Sequence, residues 1–268
     1  MTAIDRRNAL RLGGLAVGAG AVVAACGGAD EAAVPGRVGF LPAVTDPPNY
    51  SVDDAVLLRT ASSFETTIID LYEAFLELDV FDEDQAELLQ VLINGHESTR
   101  DEFDELTTSA AGGEVWPCAN PWMVQRTVEP MLEVVATSDN QLRDAFNIVA
   151  TMENLAGGTY QEMSGQLTLV EERQPMIEAG KLMARQSAVW IISNEGPDGY
   201  YSPELFGEES GIDESGVPLQ YAINSQFGSV AQIEIVIGAQ DENGVRQTFV
   251  VQTPSLNSYI YNELEPTC

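Results

Sequence analysis

Apolar residues return at the three-to-four-residue spacing of an amphipathic helix over four long stretches of the chain. The first runs over about 53–78, with Leu58, Ala61, Ile68, Ile69, Tyr72 and Leu76 on one face and Ser51 or Asp53 placed to cap its start. The second runs over about 83–109 through Leu89, Leu92, Ile93, His96, Phe103 and Leu106, interrupted by the weak helix formers Asn94-Gly95. The third runs over about 139–167 and carries Phe146, Val149, Ala150, Ala156 and Tyr160. The fourth runs over about 171–193 with Met176, Leu182, Met183, Val189 and Trp190. A shorter helix is predicted over 123–136, bent near Pro130. Four such stripes bury one another best as a bundle.

Beyond Asn194 the period changes. Residues 196–217 are rich in Gly, Pro, Glu and Ser and read as a loop. Residues 231–238 and 245–253 alternate as strands do, joined across Asp241-Glu242-Asn243-Gly244, where Asn-Gly predicts a hairpin turn. A further strand is expected near 219–223. A lone hairpin is marginal in water, so this unit is expected to pack on the bundle.

The N-terminal residues have another texture. Asp5-Arg6-Arg7-Asn8-Ala9-Leu10 resembles a twin-arginine export signal, and the apolar stretch 12–25 behind it is too short to span a bilayer permanently. It ends in Val23-Ala24-Ala25-Cys26, which resembles a lipobox with Cys26 as the lipid attachment site. The organisation expected is a leader over 1–25, a Gly/Ala/Pro-rich tether over 26–50, the bundle over 51–195, and the loop with its β appendage over 196–268. The partner implied is the outer face of the cell membrane, reached through the lipid.

Composition narrows the classes. Acids outnumber bases 42 to 12, a net charge of −30, which repels nucleic acid and anionic lipid headgroups. The three cysteines include no CxxC pair, which argues against zinc fingers and thioredoxin-like chemistry. With Cys26 lipidated, Cys118 and Cys268 are left as an even pair, expected to join in an oxidising compartment; two free thiols are the alternative. Hydrolase elbows and phosphate-binding glycine loops are absent from the sequence.

Charges inside the apolar stripes carry the candidate chemistry. Glu65 lies within the first stripe and Glu153 at the centre of the third; Glu97 and Arg100 stand three apart in the second, next to His96, the one histidine of the chain. With the crossover Asn120-Pro121-Trp122 and the run Met152-Glu153-Asn154, the region 52–192 resembles the bacterial exported ferritin-like domain proteins. The resemblance implies a ferritin-like four-helix bundle with a long connection between its second and third long helices. It also implies a di-iron site built from a Glu on each of two helices and a Glu-x-x-His on each of the others. Glu65 and Glu153 match the single glutamates and Glu97 matches a third. Arg100 stands where a histidine is expected, and Met183 and Gln186 replace the last Glu and His.

Three converging glutamates need compensation, since each like-charge pair at ~4 Å costs on the order of 4 kcal/mol at an effective dielectric of about 20. One divalent ion, iron or manganese, held by Glu65, Glu97 and Glu153 with His96 as a substitute ligand, is one solution. A protonated carboxyl is another. The solution favoured from the sequence is a buried polar network in which Arg100 neutralises the acids and Gln186 joins them, with His96 a satisfied structural residue. The function expected is accordingly a non-catalytic envelope lipoprotein without a cofactor. A metal-binding or redox protein of the same fold is the alternative, and a substrate-binding lipoprotein ranks last. The sequence names no protein partner.

Overall fold

The computed structural model describes residues 52–201 and 232–252. The leader, Cys26, the tether, the expected strand near 219–223 and Cys268 lie outside them.

Helix α1 (Asp54–Glu77) starts where Asp53 accepts a hydrogen bond from the Val56 N–H at 2.9 Å, and it stops before Asp79, whose φ of 52° no helix continues. Helix α2 (Glu83–Ser109) opens with a reciprocal cap between Asp82 and Gln85. It runs unbroken through Asn94-Gly95. The helical stretch α3 consists of Pro121–Met123, a π-helical turn Val124–Val128 and Glu129–Ala136. The irregularity expected at Pro130 thus falls just before it. A proline ring crowds the carbonyl four residues back, and the wide turn, in which the Glu129 N–H reaches Val124 O, accommodates it. Helix α4 (Gln141–Gln166) is capped by Asn140, and α5 (Val170–Tyr201) loses helical geometry at Gly196, with φ 72° and ψ 176°.

Side-chain contacts fix the helix directions. Tyr72 of α1 bonds Glu153 of α4 while Tyr160 bonds Glu65, so α1 and α4 run antiparallel. Gln85 meets Asn194 and Gln186 meets Leu92 O, so α2 and α5 are antiparallel as well. Trp190 donates to Phe146 O at 3.0 Å, and a Cβ added to Gly157 would lie 3.4 Å from Gly180 O, which sets α4 antiparallel to α5 at close range. With α1 and α2 antiparallel through Ser62–Asp104 and Glu65–His96, every neighbouring pair is antiparallel. It follows that α2 and α4 run the same way, and the chain must cross the length of the bundle between them. Residues 110–140, including α3, make that crossing. Asn120 anchors it, donating its N–H to Thr67 Oγ1 at 2.7 Å while its side chain caps Trp122 and Met123.

The core is one continuous cluster reaching from Leu58 and Phe64 through Leu92, Phe103, Val149 and Met183 to Trp190. Val189, expected within the fourth stripe, is half exposed on the outer face. Strands β1 (Gln232–Ile237) and β2 (Gln247–Gln252) pair antiparallel with Ile237 opposite Gln247. Ile235, Ile237, Phe249 and Val251 join the helical core. Gly238, at φ 90°, passes under α4, donating its N–H to Asp144 at 2.7 Å and accepting from Arg143. The connection differs from a two-residue Asn-Gly turn: of the Asn243-Gly244 pair only Gly244 has positive φ, and Asp241 organises the loop by accepting from the Asn243 and Val245 N–H groups at 2.8 Å.

Candidate functional site

Glu65, His96 and Glu153 meet at the centre of the bundle, all three fully buried. His96 stands between the acids. Its Nδ1 lies 2.5 Å from Glu65 Oε2 and its Nε2 lies 2.9 Å from Glu153 Oε1. Each glutamate also accepts from a tyrosine of the opposite helix. Tyr72 donates to Glu153 Oε1 at 3.0 Å and Tyr160 donates to Glu65 Oε1. A chain of five side chains therefore crosses three helices in the order Tyr160, Glu65, His96, Glu153, Tyr72.

Burial alone would lower the basicity of His96, but the charges of Glu153 and Glu65 outweigh it and hold the imidazole's pKa up at about 10. At neutral pH it is an imidazolium, and both ring nitrogens donate. The tyrosines are pushed the other way: burial, then the neighbouring Glu153 charge for Tyr72 and Glu65 charge for Tyr160, raise both well above the usual phenol value. They keep their protons and serve as donors. Glu153 Oε2 is the loose end, buried and without a hydrogen-bond partner.

Of the residues expected here, Glu65, Glu153 and His96 come together. Arg100 does not. Its guanidinium bonds Asp101 at 2.9 Å and remains 30% exposed. Glu97 is only half-buried and takes no part among the described hydrogen bonds. The cause is helix geometry. Successive residues turn about 100°, so a helix that aims His96 inward with Leu89, Leu92 and Phe103 rotates Glu97 toward the rim, whereas Arg100, four residues on, stays within about 40° of His96 and its long side chain swings outward to Asp101. The neutralising cation of the core is thus His96, not Arg100.

Gln186 is buried, as expected of it, but it serves the backbone: its Nε2 donates to Leu92 O at 3.0 Å, and its Oε1 has no partner. Gly95 makes the room, since a Cβ there would lie 2.8 Å from that Nε2. Met183 packs in the apolar core.

Tyr72 and Tyr160, which the periodicity places among the apolar stripe residues, act here as hydrogen-bond donors. The signal was present: a glutamate followed seven residues later by a tyrosine occurs in both α1 and α4. A buried phenol needs a partner.

This donor set does not fit the di-iron centre that the resemblance implies. A metal takes a lone pair from imidazole, whereas here both ring nitrogens are engaged by carboxylates, Nδ1 by Glu65 and Nε2 by Glu153. The thioether and amide at Met183 and Gln186 are poor substitutes for the missing ligands. Among the described residues no group of three or more His, Cys, Asp or Glu is disposed to hold a metal ion. No known protein family, curated protein or solved structure matches the chain.

Proposed function

We propose that this chain is a ferritin-like lipoprotein of the cell envelope, non-catalytic, in which a carboxylate–imidazolium–carboxylate network stands in place of a metal centre. The observation that carries the reading is the engagement of both His96 nitrogens by Glu65 and Glu153. An internal cation stands between the buried acids and offsets one of their two charges, while Tyr72 and Tyr160 donate to both, so the site is held together without an imported ion. The helix directions support the ferritin-like assignment, because two antiparallel pairs joined by a lengthwise crossing are the connectivity of that fold. Export and anchoring through Cys26 rest on the N-terminal sequence. Cys118, buried beside Trp116, would join Cys268 to tie the tail to the crossover.

Elemental analysis of the natively exported protein tests the central claim. Iron or manganese well below one equivalent, together with two slowly exchanging ring N–H signals from His96 at neutral pH, is the expected result. A stoichiometric, tightly held transition metal overturns it. A Cys26→Ser variant is expected to leave the membrane fraction, and the mature chain to be about two mass units lighter before reduction than after.

A further inference from the structure

A second pair of buried acids lies at one end of the bundle. Asp54 is in the first turn of α1 and Glu172 in the first turn of α5. Asp54 is nearly buried and Glu172 is closed to solvent. Asp54 takes all the donors. It accepts from the Thr168 hydroxyl at 2.6 Å, from the Thr168 N–H at 2.9 Å and from the Leu169 N–H at 3.0 Å. Neither oxygen of Glu172 has a hydrogen-bond partner.

Two carboxylates side by side, with every donor on one of them, leave one negative charge too many. A shared proton resolves this, because a protonated Glu172 donates to Asp54 and both groups are then satisfied. A metal cation suits the place less well. Both acids stand at helix N-termini, whose dipoles already supply positive potential, and Asp54 Oδ2 is filled by the Thr168 hydroxyl and the Leu169 N–H, which leaves Oδ1 room for a single further donor. We propose that Asp54 and Glu172 form a proton-operated clasp joining the start of α1 to the start of α5, closed while Glu172 carries a proton and open when it loses it.

The charges acting on Glu172 are Asp54 from α1 and Glu171 from its own helix, both negative; Arg173 turns away, its Nε bonding Leu167 O at 2.8 Å. Burial first, then the Asp54 charge, lifts Glu172 from 4.5 to about 7. Asp54 moves down, because its bonds to Thr168 and Leu169 outweigh its burial. With the folded value above the unfolded one, the clasp's contribution is complete below about pH 4.5 and is lost as pH rises through about 7. Ionisation then repels Asp54 and loosens the first turn of α1, where the chain enters the bundle.

The test compares the full chain with Glu172→Gln, whose amide donates to Asp54 at every pH. Urea unfolding from about pH 4.5 to 8.5 should show the folding constant of the wild type falling, relative to that of the variant, by about tenfold or more. Amide exchange in the first turn of α1 and at Thr168 and Leu169, corrected for intrinsic rates, should quicken above neutral pH in the wild type only. Asp54→Asn, which removes the repelling charge, should flatten the same difference and keeps the proposal testable if Glu172→Gln folds poorly. Parallel pH profiles for all three proteins overturn the clasp. Recovery of the wild type at about pH 8 by millimolar calcium or magnesium also overturns it, since the pair would then be a cation site.

Discussion

The bundle buries two pairs of acids, and it balances them differently. At its centre, Glu65 and Glu153 are separated by an imidazole; at its end, Asp54 and Glu172 face each other with no side chain between them. In the first case the perturbation falls on the base, and His96 is held protonated up to about pH 10. In the second it falls on one of the acids, and Glu172 rises to about 7. A protein interior accepts like charges by recruiting a resident cation or by retaining a proton. The former gives a permanent arrangement across the physiological range and the latter one that titrates within it.

The most damaging way to break this contrast is His96→Ala. It leaves two buried acids without their cation, and a loss of about 3–5 kcal/mol in urea unfolding, or failure to fold, is expected. A loss under about 1 kcal/mol would show that the centre does not depend on its imidazolium.

Alkaline titration sharpens the contrast next. The folded value of His96 lies above its unfolded 6.5, so its stabilisation is complete below about pH 6.5 and disappears as pH rises through about 10. Unfolding midpoints should therefore decline between those limits in the wild type and in Glu172→Gln alike, which separates the central pair from the terminal one. A midpoint unchanged up to about pH 10 contradicts the assignment.

Tyr72→Phe and Tyr160→Phe each remove a hydrogen bond to a charged acceptor and should each cost about 1.5–3 kcal/mol by the same measurement. The smallest effect is expected from Arg100→Ala. Its pair with Asp101 lies at the rim, and a loss within about 1 kcal/mol is predicted. A much larger one would restore Arg100 to the core.

The helices were legible because their apolar periodicity is long; of the N-caps at their starts, Asp53 was among the residues named from the sequence, whereas Asp82 and Asn140 were not. Glu65 and Glu153 were legible as acids inside apolar stripes. The error at Glu97 is rotational, while Arg100 lies on nearly the same face as His96 and reaches out to Asp101 by its length. A ligand spacing borrowed from a resemblance fixes which residues share a face but not which way that face points, and one residue of offset exchanged His96 for Glu97. Asp54 and Glu172 escaped notice for a different reason. Each is what the first turn of any helix favours, and nothing local tells that two such turns lie against each other.

The reciprocal exchange between α1 and α4 has a consequence for the alignment of the bundle. Each helix contributes one acid and one phenol, and because the helices run in opposite directions the two bonds are made at separate levels along their axes. Sliding one helix past the other by a single turn, about 5.4 Å, would draw both phenols away from their acceptors at once. The two bonds therefore act as a length gauge that favours one register of α1 against α4.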